Sequence, residues 1–151
     1  MTHHALATVL QRAESERDQI LAALRRAEEQ ARRAQAQAAQ LLAYRAEYEQ
    51  RWQAQFARGG SAEIVQCYRS FMARLDEALG QQRTQSDTAA AHEQRLRERF
   101  VEAERRVASV RKLIERRLAE QRRAMAVREQ RQNDEHAMRR RPHSRDEPVH
   151  H

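Results

Sequence analysis

Cysteine occurs once in this 151-residue chain, proline twice and glycine three times, and aromatic residues make up only 5%. The lone Cys67 excludes an intrachain disulfide framework and fits a reducing compartment. No apolar run approaches the ~20 residues needed to cross a bilayer. Met1 to Gln11 has no charged segment followed by an apolar core, so no secretory leader is expected. Large apolar side chains are too few for a sizeable three-dimensional core, and a single seam between helices is what they can fill. What remains is rich in Ala, Glu, Leu, Arg and Gln, with charged residues at 34% and a mean hydropathy of −1.04. That is the profile of a long helix or coiled coil.

The formal charge is +7, yet no basic tract produces it. Both signs are interleaved along the chain, often a helical turn apart, which is the pattern of solvated, ion-paired helix faces. Only Arg139, Arg140 and Arg141 cluster. A nucleic-acid partner is not expected: the charge is dispersed, no basic region adjoins a zipper, and no recognised binding motif is present.

The first half carries a regular heptad stripe: Leu6, Leu10, Ala13, Arg17, Ile20, Leu24, Ala27, Ala31, Ala34, Ala38 and Leu41, in alternating steps of four and three. It passes on to Tyr44, Tyr48, Trp52 and Phe56. Gly59 and Gly60 then interrupt the pattern, where a chain can reverse because glycine accepts positive φ. Ser61 is placed to cap a second helix, with Glu63 favourable in its first turn. The second stripe reads Ile64, Tyr68, Phe71, Leu75 and Ala78, then Gln82, Gln85, Ala89, His92 and Leu96, and resumes with Phe100, Ala103, Val107, Val110 and Ile114.

If the chain folds back at the glycines, the numbers of facing residues add to about 120 in an antiparallel coil. Trp52 then faces Tyr68, Tyr48 faces Phe71 or Met72, Tyr44 faces Leu75, and Ala38 faces Gln82. Further along, Leu24 meets Leu96, Ile20 meets Phe100, Ala13 meets Val107, Leu10 meets Val110, and Leu6 meets Ile114. Large residues meet large ones at both ends, and alanine meets small or polar residues between. The fold class is therefore all-α: a long antiparallel two-helix coiled-coil hairpin over residues 1–141. The helices are expected at about 5–57 and 61–139, joined by a turn at 58–60. The register exhausts the first helix near Leu6, so the second is expected to overhang from about Glu115 to Arg139. Pro142 ends it, and residues 142–151 read as a disordered tail. A helix break near Gly80 is the structural alternative.

No chemistry of an enzyme is visible. The seven histidines lie at the ends, in the tail, on or near the seam at His92, or among charges at His136. None has metal-ligand spacing, and no phosphate-binding loop or nucleophile–base pair occurs. No metal, cofactor or catalytic residue is expected. The aromatics around the glycines are different: a two-helix layer cannot cover every face of such bulky residues. Tyr44, Tyr48, Trp52 and Tyr68 therefore form a candidate protein-binding patch beside their packing role.

The segment from Leu41 to Gln82 has the order YxxEY, a glycine-containing turn, then YxxFxxxLxxAL with a trailing Gln. Its residues Tyr44, Glu47, Tyr48, Gly59, Tyr68, Phe71, Leu75, Ala78 and Leu79 resemble the FliJ family of flagellar type III export proteins, and the length and heptads agree. The resemblance implies a non-enzymatic, stalk-like coiled coil similar to the central stalk of rotary ATP synthases. Its implied partners are a hexameric flagellar export ATPase, a transmembrane export gate protein and export chaperones. The implied location is cytoplasmic, peripheral at the inner membrane through indirect association. The family's gate-binding face maps onto Phe71, Leu75, Ala78 and Gln82, where glutamine replaces the histidine of some relatives. The pole that would enter the ATPase ring carries Leu6, Leu10, Val107, Val110 and Ile114. The alternatives are the equivalent stalk of a virulence injectisome and a generic coiled-coil scaffold or nucleic-acid-binding protein.

Overall fold

The structure, a computed structural model, describes residues 2–140. Among these residues there are two helices and no strand: α1 (His3–Ala57) and α2 (Ala62–Arg140). The tail expected over residues 142–151 lies outside the described residues.

Each helix start is capped by a hydroxyl. Thr2 Oγ1 accepts from the amide of Ala5 at 3.3 Å, and Ser61 Oγ accepts from the amide of Ile64 at 3.3 Å. Both satisfy amides that a helix N-terminus leaves without an internal partner. The α1 C-terminus closes with tightened turns, Arg58 N to Gln55 O and Gly59 N to Phe56 O, both 3.1 Å. Gly59 then takes a φ of 106°, a value that a side chain at this position would oppose. Gly80 does not interrupt α2, which runs through it.

Two compact units divide the described residues: one gathers residues 2–10 and 108–140, the other is Gln11–Val107. In the Gln11–Val107 unit the cross-helix partners run in opposite directions along α1 and α2. Trp52 meets Tyr68, Tyr48 meets Phe71, Arg45 meets Asp76, and Leu24 packs with Leu96. Arg106 Nη1 closes the series on Glu16 at 3.1 Å. The helices are therefore antiparallel, in the register that the heptads specify. Buried Leu24, Ala27 and Leu96 form the core cluster, with Ala23 and Phe100 against it. Ala13, Ile20, Met72, Leu75, Ala103 and Val107 are buried as well.

The seam departs from the sequence reading at three places. Tyr44 is turned outward, 43% exposed, and Arg45 takes the inward position instead. In α2 the half-buried positions are Ser86 and Glu93, and Gln85 and His92 are exposed. In each case the helix takes the other of the two steps, three or four, that keep a residue on the seam.

In the other unit Leu6 is 1% exposed, and Leu10, Val110 and Ile114 are half-buried. Residues 121–140 of α2 are exposed throughout, Met125, Val127 and Met138 included.

Candidate interaction surface at the helix bend

Six of the chain's aromatic side chains join into one network beside the glycine turn. Tyr48 stacks on Phe71 across the helices, with ring centroids 4.3 Å apart and planes 27° from parallel. Tyr44 lies 5.3 Å from Tyr48 along α1. Trp52 sits 5.3 Å from Tyr68 and 5.5 Å from Phe56, and Phe56 meets Tyr68 edge-on at 5.4 Å. Rings at these separations attract beyond their buried area, through offset and edge-to-face arrangements. The residues recur every three or four positions, so each helix supplies a single row that meets the other.

The network holds the bend together without being fully covered. Tyr48, Trp52, Phe56, Tyr68 and Phe71 are half-buried and Tyr44 is exposed. An open cleft of about 350 Å3 adjoins them, lined by Tyr48, Arg51, Trp52, Gln55 and Ile64. Partly desolvated aromatics beside a rim of Arg and Gln have the composition of a protein-contact surface.

Next to the rings lies a polar clasp. Arg45 Nε donates to Asp76 Oδ1 at 2.5 Å and Nη2 to Oδ2 at 3.4 Å, while Nη1 donates to Glu49 Oε2 at 3.3 Å. This bidentate contact holds the Asp76 carboxyl below the usual carboxylate range and raises Arg45. About two turns further on, Gln82 Nε2 donates to Gln37 Oε1 at 3.0 Å and to the Ala34 carbonyl at 3.4 Å. On α1, Arg32 and Arg33 both bond Glu29, Arg32 most strongly, and lower its pKa.

Of the four residues mapped as a gate-binding face, Phe71, Ala78 and Gln82 are half-buried, whereas Leu75 is only 7% exposed. Phe71 and Gln82 thus lie at the surface with side-chain partners on α1, and Leu75 sits beneath them as packing. The patch residues Tyr44, Tyr48, Trp52 and Tyr68 are brought together. Of the ring-pole residues, Leu6 and Val107 are inside their units, 1% and 2% exposed, and Leu10, Val110 and Ile114 are half-buried. The Arg45–Asp76 clasp escaped the sequence reading, although opposite charges at facing positions were its available signal.

Among the described residues no group of three or more His, Cys, Asp or Glu is placed to hold a metal ion. None of their helices is long and apolar enough to cross a membrane. Cys67 is an exposed free thiol. In comparisons with known proteins, the family model described as flagellar FliJ protein matches residues 2–145. No curated protein and no solved structure gives a significant match.

Proposed function

The chain belongs to the flagellar FliJ protein family and is a component of the flagellar export apparatus; from that premise we propose that it is a non-catalytic stalk and adaptor. In this reading it binds the hexameric export ATPase, promotes the activity of the assembled ring, links it to the transmembrane export gate, and escorts export chaperones. It does so from the cytoplasm, at the inner face of the membrane.

The observation that carries the reading is the aromatic network at the bend, left half-covered with Tyr44 outward. A polar coiled coil has no need of six rings at one place. A protein that must hold a partner there does, because buried aromatic anchors dominate contact energies. Phe71, Ala78 and Gln82 supply the gate-facing edge, with Leu75 fixing their backbone from below. The segment beyond Ile114 supplies an arginine-rich helix for the ATPase. Interleaved charges along the rod suit many weak contacts with ring loops, each of small energy in water.

ATP hydrolysis by the purified export ATPase, with and without the chain, tests this. Stimulation by the full chain, reduced on truncation after Ile114, is expected. An unchanged rate over a range of stoichiometries removes the stalk role. Pull-down on the gate's cytoplasmic domain tests the bend: Phe71→Ala is expected to weaken capture, and wild-type capture overturns the assignment.

A further inference from the structure

In the Gln11–Val107 unit, the two helices leave an open groove of about 620 Å3 along one flank. Ala38, Ala39, Leu79 and Gly80 form its small apolar floor, and Leu42 stands beside them 55% exposed. Leu42 and Tyr44 are two positions apart, roughly 200° around α1, so the groove and the exposed Tyr44 look to opposite sides. A second groove of about 350 Å3 follows, with Glu28, Ala31, Arg32 and Arg97 among its lining. Gln35 lines both.

This stretch of the seam is the least covered in the unit. Among the described residues, none between Ala27 and Met72 is buried, and none between Leu75 and Leu96. Alanine is too short to close the space between two helices. Gly80 sharpens the point. A glycine inside a helix weakens it, yet a Cβ there would meet nothing within 4 Å. Nothing inside the chain calls for its smallness, and the space beside it is open to a close approach.

The charges say what approaches. Four ionic side chains border the first groove: Arg45, Asp76, Arg83 and Asp87. They sum to zero, which disfavours a polyanion. Arg45 and Asp76 hold each other. Arg83 and Asp87 have no ion-pair partner among the described residues. They are one turn apart on α2, with the cation first, the weaker order for pairing within a helix. Such a pair is self-complementary: an antiparallel copy of α2 sets its Asp87 opposite Arg83 and its Arg83 opposite Asp87, as a two-fold axis requires.

A second marker puts the axis at the same level. Gln82 reaches Ala34 and Gln37 on α1, so the midpoint between Arg83 and Asp87 lies about level with Gln35, the residue common to both grooves. That axis brings Gly80 opposite the exposed Ala90 of the other copy, two small residues where the helices come closest. It sets Leu42 level with Glu28, at the edge of the second groove.

We propose that this flank is a self-association face, on which a second copy of the chain seats antiparallel and completes a short four-helix section. The exposed Tyr44 points away and stays free in the pair.

Sedimentation equilibrium of the full chain, from low micromolar to several hundred micromolar, tests the proposal. A monomer–dimer equilibrium is expected. Arg83→Asp or Asp87→Arg alone sets like charges against each other and lowers association by at least about tenfold. The swapped variant R83D/D87R restores it to within about threefold. Gly80→Leu abolishes association, while circular dichroism shows undiminished helix. The proposal is overturned by a chain that is monomeric throughout, by a swap that fails to restore association, or by a dimer that survives Gly80→Leu but is lost in Tyr44→Ala. A monomeric chain would leave the flank to a different protein.

Discussion

Arg45 reaches across the hairpin to Asp76 with two nitrogens on two carboxylate oxygens, from the inward position that the heptads assign to Tyr44. The swap decides the chemistry of both faces. The guanidinium, planar and forked, fits a carboxylate and fixes the register one turn from the rings, which frees Tyr44 for the surface.

The clasp has a pH signature. Its folded-state carboxyl titrates lower than in the unfolded chain, so the unfolded chain takes up the proton first as pH falls. The contribution is complete above the ordinary Asp range and is lost as pH falls through the depressed value. Asp76→Asn is expected to lower Tm at neutral pH by no more than about 3 °C, since both partners are partly solvated. The difference from wild type should vanish in strong acid and shrink in high salt. A gap that persists in acid would mean that Asp76 acts through packing.

Leu75 and Tyr44 separate stability from recognition. Leu75 is 7% exposed, so Leu75→Ala removes buried methyl groups and is expected to cost about 2–3 kcal/mol. Tyr44→Ala, at a site 43% exposed with one ring neighbour, should cost less, about 0.5–1 kcal/mol. Gate capture should respond in the other order per unit of stability lost, with Tyr44→Ala weakening it in a fully folded chain. Urea melts beside pull-downs read both quantities.

The hairpin was legible in the sequence because one period governs it. The 3.5-residue spacing gave two helices, Gly59–Gly60 gave the turn, and facing pairs such as Trp52–Tyr68 and Leu24–Leu96 followed from the register. Individual seam positions were not legible where steps of three and four compete: Arg45 displaced Tyr44, and Ser86 and Glu93 displaced Gln85 and His92. Hydrophobicity ranks tyrosine above arginine for an inward site, but a facing Asp76 reverses the order, and only the paired helix supplies it. Burial was hidden for the same reason. Nothing in the spacing distinguishes Leu75, sealed by its neighbours, from Phe71 at the rim.

Leu24 and Leu96 form the pair around which the core cluster gathers. Leu24→Ala and Leu96→Ala are each expected to cost about 2–4 kcal/mol. Their double variant should cost less than the sum, because the two side chains share one cavity. Met125→Ala, at a site 60% exposed, should be neutral within about 0.5 kcal/mol. Strict additivity of the two leucine changes in urea melts would mean that they do not touch in solution.

Gly59 and Gly80 should answer alanine with opposite signs. At Gly59 the φ of 106° lies where a Cβ crowds the following carbonyl, although nothing else stands near it. The penalty is therefore backbone strain alone, about 1–2 kcal/mol. At Gly80 the backbone is helical and the space around a Cβ is open. Alanine there removes only unfolded-state freedom, and about 0.5–1 kcal/mol of added stability is expected. Gly60→Ala falls between them, since its Cβ would lie 3.2 Å from Phe56 Cδ1 and a half-buried ring can shift by that little. Urea melts at dilutions where the chain is monomeric rank the three. Gly80→Ala below wild type would mean that the monomer itself uses that glycine, and the opening on this flank would then belong to the hairpin and not to its partner.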